Sequence, residues 1–474
     1  MNEGLMTEDL KKIHDATTRI LENTGVQVQH PEALKIISQK GIRVTGETVF
    51  FTGEQLMEWV GKAPGSFTLY ARNPRYNMTI GGDSIEYAPG YGAPTVAEFD
   101  GTKRPALMKD YVSFLMLSEQ CDYFKCNGGV LVQPRDIGVK ESGPLMLYAT
   151  LIYSDKCIIG QPPGIGIDGN EQLMDMLGIV FGGKGGLAEK PRIISIVNTT
   201  SPLILDKTVL DTMLVHSRYG QPLMISPCPM AGTTGPVTLA GTIALANAEA
   251  LAGIAIAQMI KEGTPVMYGW QTSPADMKTG AIAIGSAERA LMVTYGARLA
   301  KLYGLPIRGG GADTDAKCAS LQSGYESMMT LLVSVQEKIN LIIHSAGIVD
   351  GFASMSYDQF IADIEIIGMV ERFVKGVEIN EDTLAVDVIN EVGPGGEYLT
   401  QDHTFEFCRK EHFSPEIGFR GHTEGPANER IFANIRKKKD AMLAAYQKPE
   451  LPPATELQLI EYLAESGIDP KKFL

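Results

Sequence analysis

Positive charge is scarce in this chain of 474 residues. Its 42 lysines and arginines stand against 56 aspartates and glutamates, a formal net charge of −14. A nucleic-acid backbone calls for a basic face, and the one short basic run, Arg436 to Lys439, falls in a predicted surface helix. Nucleic acid is therefore not an expected partner. Long apolar runs are lacking too. The most hydrophobic stretch, 241–260, carries Asn247, Glu249 and Gln258, which suits a buried core helix and not a membrane span. Residues 1–12 are polar and hold no apolar signal core. The 6 cysteines contain no Cys-x-x-Cys pair, so free thiols in a reducing cytoplasm are expected. No serine sits in a nucleophile-elbow sequence, and paired glutamates at strand ends, the usual glycosidase arrangement, are missing. His, Cys and acidic residues show no ligand-spaced pair, so no metal site is expected.

What is present is an ordinary globular composition, 44% hydrophobic and 21% charged, arranged in a repeated order. From about residue 120 an apolar strand and a helix alternate. Predicted strands fall at 128–133, 157–161, 192–198, 222–226, 265–270, 306–308 and 341–344. Predicted helices fall at 142–154, 170–181, 207–219, 241–261, 286–303, 319–338 and 357–375. Several helices stop at a glycine just before a strand-entry proline, as in Tyr303-Gly-Leu-Pro306. Such units predict an α/β protein, a (β/α)8 TIM barrel over 106–376. An N-terminal α+β cap is expected over 1–105 and a helical extension over 377–474. The eighth strand is not evident; 384–389 or a less regular segment is expected to supply it.

Ligands of such folds sit at the carboxyl ends of the strands. Those positions hold Gln133, Arg135, Gln161, Asn198, Ser226, Cys228, Trp270, Gln271, Arg308, Asp313 and His344. Arg308 opens a Gly-Gly-Gly run that leads through Asp313 and Asp315 into a helix, and glycines there are expected to leave room for a ligand. His344 closes an apolar run and is expected to donate a hydrogen bond to an anionic group. Tyr91, on a Gly/Pro-rich loop with Tyr87, joins Tyr268, Trp270 and Phe352 as aromatics suited to a quaternary ammonium.

The run 304–317 (Gly-Leu-Pro-Ile-Arg-Gly-Gly-Gly-Ala-Asp-Thr-Asp-Ala-Lys), followed by Gln322-Ser-Gly-Tyr-Glu326, resembles the trimethylamine methyltransferase superfamily. The likeness extends over most of the chain. It implies a TIM barrel that moves a methyl group from an amine to the Co(I) corrinoid of a separate carrier protein. The founding members carry pyrrolysine, and this sequence holds only standard residues, so it resembles the branch acting on quaternary amines. Glycine betaine is the first expected substrate, ahead of proline betaine and carnitine. On this reading Arg308 and His344 hold the carboxylate, Asp313 is the countercharge of the ammonium, and Asp313 and His344 are the candidate catalytic pair. Tyr91, Gln161, Asn198, Tyr268, Trp270 and Phe352 complete the substrate-binding set. No Asp-x-His-x-x-Gly corrinoid signature occurs, so the cobamide is expected on a partner protein and this chain is expected to bind no cofactor itself. A homo-oligomer is also expected. A metal-dependent barrel lyase or hydrolase and a non-catalytic quaternary-amine binding protein stay open as alternatives.

Overall fold

The computed structural model describes residues 1–160, 166–422 and 425–473. Its centre is built from eight short parallel strands: β1 (Glu86–Tyr87), β2 (Cys126–Asn127), β3 (Cys157–Ile159), β4 (Ile193–Val197), β5 (Leu223–Ile225), β6 (Val266–Met267), β7 (Arg308–Gly309) and β8 (Leu341–Ile342). β2 to β6 form one parallel sheet in chain order, and β7, β8 and β1 form a second. Isolated parallel bridges, Tyr268–Ile307 and Tyr87–Phe124, lie between β6 and β7 and between β1 and β2. These strands are short and buried on both faces, which is why they read as continuous apolar runs.

The helices between them match the periodicity of the sequence. The helix Ala287–Tyr303 starts at Ser286, whose side chain accepts from the Arg289 amide, and stops at Gly304 in the left-handed region (φ 69°). The helix Leu239–Ile260 is, among the described residues, the one long and apolar enough to cross a membrane, and 94% of its apolar window is buried inside the protein. The N-terminal helix Glu8–Asn23 docks on it through polar keys. Asn247 Nδ2 donates to Thr17 Oγ1 and to the Tyr303 hydroxyl, both at 2.9 Å.

The segment 384–389 does not supply a strand. It lies in two short helices, Glu381–Leu384 and Val386–Val392, separated by left-handed Ala385. The strand missing from the sequence-based series is β1, in the region expected to be cap, and two residues are too short to leave a periodic trace. The predicted strand 128–133 also shifts. β2 ends at Asn127 because Gly128 and Gly129 turn left-handed (φ 82° and 72°), and a Cβ on Gly129 would lie 1.8 Å from the Ile159 carbonyl oxygen.

Candidate functional site

A cavity of about 360 Å³ opens where β2, β4, β5, β7 and β8 end. Arg308 and His344 line it together with Asn198, Ser226, Cys228 and Gln271, and the aromatic faces come from Tyr91 and Phe352. Among the described residues no carboxylate lines it.

Arg308 is 2% exposed. Its Nε contacts the Met224 sulfur at 3.2 Å, and its Nη1 has no hydrogen-bond partner among the described residues. Burial, then the neighbouring Arg289, pull its pKa down to about 9, which leaves it charged at neutral pH. A buried guanidinium on a cavity wall is chemically suited to an anion, to which it gives charge-assisted hydrogen bonds.

His344 sits in the left-handed region (φ 63°), and its Nδ1 accepts the Tyr91 backbone N–H at 3.2 Å. That bond places the proton on Nε2. Burial first, then Arg308 and Arg289, push its pKa well below the usual value, so the ring is a neutral Nε2–H donor. Phe352 packs on it with ring centroids 4.7 Å apart. Phe352 rides at the apex of a hairpin, Ile348–Val349 with Ser354–Met355, where Asp350, Gly351 and Phe352 all have positive φ. Lys103 and Lys317 both pair with Asp350 and pin that apex. Tyr91 packs across Gly160, where a Cβ would come within 2.3 Å of its ring.

Gly310 and Gly311, two of the three glycines after Arg308, serve packing, which corrects for them the expectation that the run makes room for ligand. A Cβ on Gly310 would lie 1.8 Å from Ser334 Oγ, and one on Gly311 would lie 2.4 Å from the Ile343 carbonyl. The acid-rich loop that follows is scaffold as well. Asp315 accepts the Ile284 and Gly285 amides at 2.9 and 3.0 Å, while Glu326 takes the Thr314 hydroxyl and the Asp315 amide at 2.6 and 2.9 Å.

Asp313 is placed behind the cavity wall, not beside an ammonium in it. It is fully buried and pairs with Arg289 Nε at 3.3 Å. Burial raises its pKa to about 7 against the pull of Arg289 and Arg308. Tyr268 and Trp270 also lie away from the lining. The Tyr268 hydroxyl donates to Asn247 at 2.8 Å, Trp270 Nε1 donates to the Met292 carbonyl at 3.2 Å, and both rings pack in the core. Gln161 lies outside the described residues. Asn198 is on the lining and exposed. The residue that sequence reasoning missed is Arg289. It sits 0% exposed on its helix, giving Nη1 to the Thr272 carbonyl at 2.8 Å and Nη2 to Gln271 Oε1. With Oε1 held by that bond, the Gln271 Nε2 has no partner among the described residues. The available signal was a charge on the first turn of a helix that buries its inner face. Among the described residues no three His, Cys, Asp or Glu side chains gather as a metal site.

A parallel α/β scaffold with a strand-end cavity, two aromatic faces and cationic or amide side chains on its walls has the form of a small-molecule site. Residues 2–467 match the trimethylamine methyltransferase (MTTB) family, and the chain belongs to it. It is 40% identical to the glycine betaine methyltransferase of Desulfitobacterium hafniense (strain Y51) over 98% of this chain and 97% of that one. It is 30% identical to trimethylamine methyltransferase MttB of D. hafniense (strain DSM 10664 / DCB-2) over 86% and 82% of the two chains. The fold is similar to the crystal structure of the Methanosarcina barkeri monomethylamine methyltransferase, with a TM-score of 0.51 at 11% identity, covering 91% of this chain and 98% of that one. The chain is a methyltransferase.

Proposed function

We propose that the chain takes a methyl group from a carboxylate-bearing quaternary amine, glycine betaine first, and delivers it to the Co(I) cobamide of a partner corrinoid protein. The observation that carries this is the lining of the cavity: Arg308 and His344 stand together on the walls of a space that shows no carboxylate among the described residues. A bare cation has no countercharge there, whereas a zwitterion offers its anion to the two donors and its methyl groups to Tyr91 and Phe352. The 40% identity to a glycine betaine methyltransferase supports the same substrate.

The reaction asks little acid–base chemistry of this chain. The cobalt electron pair of the second substrate attacks a methyl carbon, the C–N bond breaks, and its electrons stay on nitrogen as a neutral tertiary amine. No proton moves, so a neutral His344 and a partly neutral Asp313 are compatible with it. Arg308 and His344 anchor one end, Phe352 and Tyr91 hold the cation, and the buried walls exclude water. In this reading the eight strands close as a (β/α)8 barrel through the Tyr87–Phe124 and Tyr268–Ile307 bridges. The core then takes in β1, so the cap ends before Glu86, the core runs to 376, and 377–474 remains an extension.

Exposed large hydrophobics support a partner over the cavity mouth. Phe99, Val139, Val237, Met277 and Leu321 each stand in the segment after a different strand, β1, β2, β5, β6 and β7. Leu321→Glu with Val139→Glu is expected to raise the KM for the corrinoid protein about tenfold or more, with the KM for glycine betaine unchanged. Steady-state kinetics with each substrate varied in turn makes the check. The reading as a whole is tested by following conversion of Co(I) to methyl-Co(III) by absorbance with glycine betaine, proline betaine and carnitine. Change with glycine betaine is expected; binding of betaines without spectral change in any of them would leave a non-catalytic binder instead.

A further inference from the structure

The segment 344–347, just past β8, joins three pieces of the cavity wall. The His344 amide donates to the Pro89 carbonyl at 3.3 Å and the Ser345 amide to the Ala88 carbonyl at 2.9 Å, while the Gly90 amide donates back to the Ala346 carbonyl at 2.8 Å. These bonds tie the segment to the loop of Tyr91. The Ala312 amide donates to the His344 carbonyl at 3.0 Å and ties it to the loop after β7. Gly347 opens the hairpin that carries Phe352, and its carbonyl accepts the Ser356 amide at 2.8 Å, where that hairpin closes. A further tie comes from the helix Tyr357–Val374. Its Asp363, 0% exposed, accepts the Gly347 amide on Oδ2 at 2.8 Å.

We infer that Asp363 is a positioning residue for methyl transfer: through the Gly347 amide it fixes the His344 donor and the Phe352 ring against each other. The inference rests on the reading of this cavity as the betaine site. A buried carboxyl is costly unless its oxygens are bonded, and both are met here. Oδ1 accepts Gln359 Nε2 at 2.7 Å from one turn earlier on the same helix. Gln359 Nε2 also stands 3.5 Å from Ser327 Oγ, which donates to the Ala312 carbonyl at 3.2 Å. Asp363 therefore reaches His344 by two routes, along the chain from Gly347 and across through Gln359, Ser327 and Ala312. Gly347 is pressed against its surroundings: with φ 92°, a Cβ on it would lie 2.9 Å from Met355 Cε and 3.0 Å from the Phe360 ring. Burial pushes the Asp363 carboxyl well above its ordinary range, and the Gly347 amide and Gln359 pull it back. In either protonation state it keeps an acceptor oxygen for Gly347, so the tie does not depend on charge. The two lysines on Asp350 hold the apex of the hairpin, and Asp363 holds its base.

Asp363→Val, similar in size but without an acceptor, is expected to raise the KM for glycine betaine about tenfold, with kcat and the KM for the corrinoid protein within about twofold. Asp363→Asn keeps an oxygen for the Gly347 amide and brings an N–H to Gln359 Oε1, which has no partner among the described residues. It is expected to return the KM to within about threefold of the wild type. Amide exchange gives a readout that needs no substrate. The Tyr91 amide, donated to His344 Nδ1, is expected to exchange at least tenfold faster in Asp363→Val than in the wild type or Asp363→Asn, while the helix Tyr357–Val374 keeps its protection. If Asp363→Val does not fold, Gln359→Ala, which frees Oδ1 and leaves the Gly347 bond, carries the same two measurements with changes of about threefold expected. An unchanged KM, an unchanged Tyr91 exchange, protection lost along the whole helix, or Asp363→Asn behaving like Asp363→Val each overturns the inference. A wild type that takes no methyl group from any betaine overturns the reading of the cavity instead, and the Tyr91 exchange then decides alone for Asp363.

Discussion

Arg308→Ala is expected to lower kcat/KM for glycine betaine by roughly a thousandfold while changing transfer from tetramethylammonium by less than about threefold. Truncating one side of a buried, charge-assisted contact costs about 2–5 kcal/mol, most of it because the remaining carboxylate is left without a donor. Tetramethylammonium has no carboxylate to strand. It also no longer meets a guanidinium at the wall, so a modest gain for the bare cation is within the expectation. His344→Ala is expected to follow the same pattern with a smaller loss, because a neutral N–H donor contributes less than a charged fork. Arg308→Lys is not expected to restore the rate, since a shorter point charge cannot reproduce the planar fork. A stability measurement separates this from unfolding. The Arg308 charge is desolvated and lacks a partner for Nη1 among the described residues, so Arg308→Ala is expected to leave Tm unchanged or raise it. Equal losses for betaine and tetramethylammonium would overturn the carboxylate assignment.

The repeated strand–helix order was legible because helix periodicity and Gly/Pro punctuation are local signals. The helix Lys207–Arg218 and the start of Tyr357–Val374 fall where periodicity places them. β1 was not legible, since two residues pairing with Leu341–Ile342 across more than two hundred positions carry no periodic mark. The cavity residues divide in the same way. Arg308, His344, Asn198, Tyr91 and Phe352 were readable as residues just past strands or on rigid loops, and all five line one cavity. Tyr268 and Trp270 were misplaced by the same rule. A side chain on a strand end points alternately in and out, and the register that sends both rings into the core against Tyr303 and Gly296 is set by tertiary pairing. Asp313 looked like a free acid because its partner, Arg289, arrives from the helix Ala287–Tyr303, ahead of β7 in the chain.

Arg289→Met is expected to destabilise the fold by about 3–5 kcal/mol at pH 8 and by about 1–3 kcal/mol at pH 5. At the higher pH the substitution leaves Asp313 as a buried carboxylate without its ion-pair partner, and removing one member of such a pair carries the larger cost. The sign of the pH dependence follows from proton binding. Burial holds Asp313 at about 7 in the folded chain against 3.8 as its ordinary value, so between those limits the folded state binds more protons than the unfolded one, and stability falls as pH rises through that window. Arg289 works against that rise, so its loss moves the folded value further up and steepens the fall above pH 7. At pH 5 Asp313 is already protonated in the wild type, and the substitution removes the hydrogen bonds to the Thr272 carbonyl, Gln271 Oε1 and Asp313 Oδ2 without stranding a charge. Arg289→Met with Asp313→Asn is therefore expected to recover most of the loss at pH 8 and little at pH 5, as read from denaturant midpoints at the two values. The double variant still frees the Gln271 amide, so its KM for glycine betaine is expected to stay raised after stability returns. Recovery of stability and KM together would show that Arg289 acts on the fold alone, with no part in orienting the cavity wall.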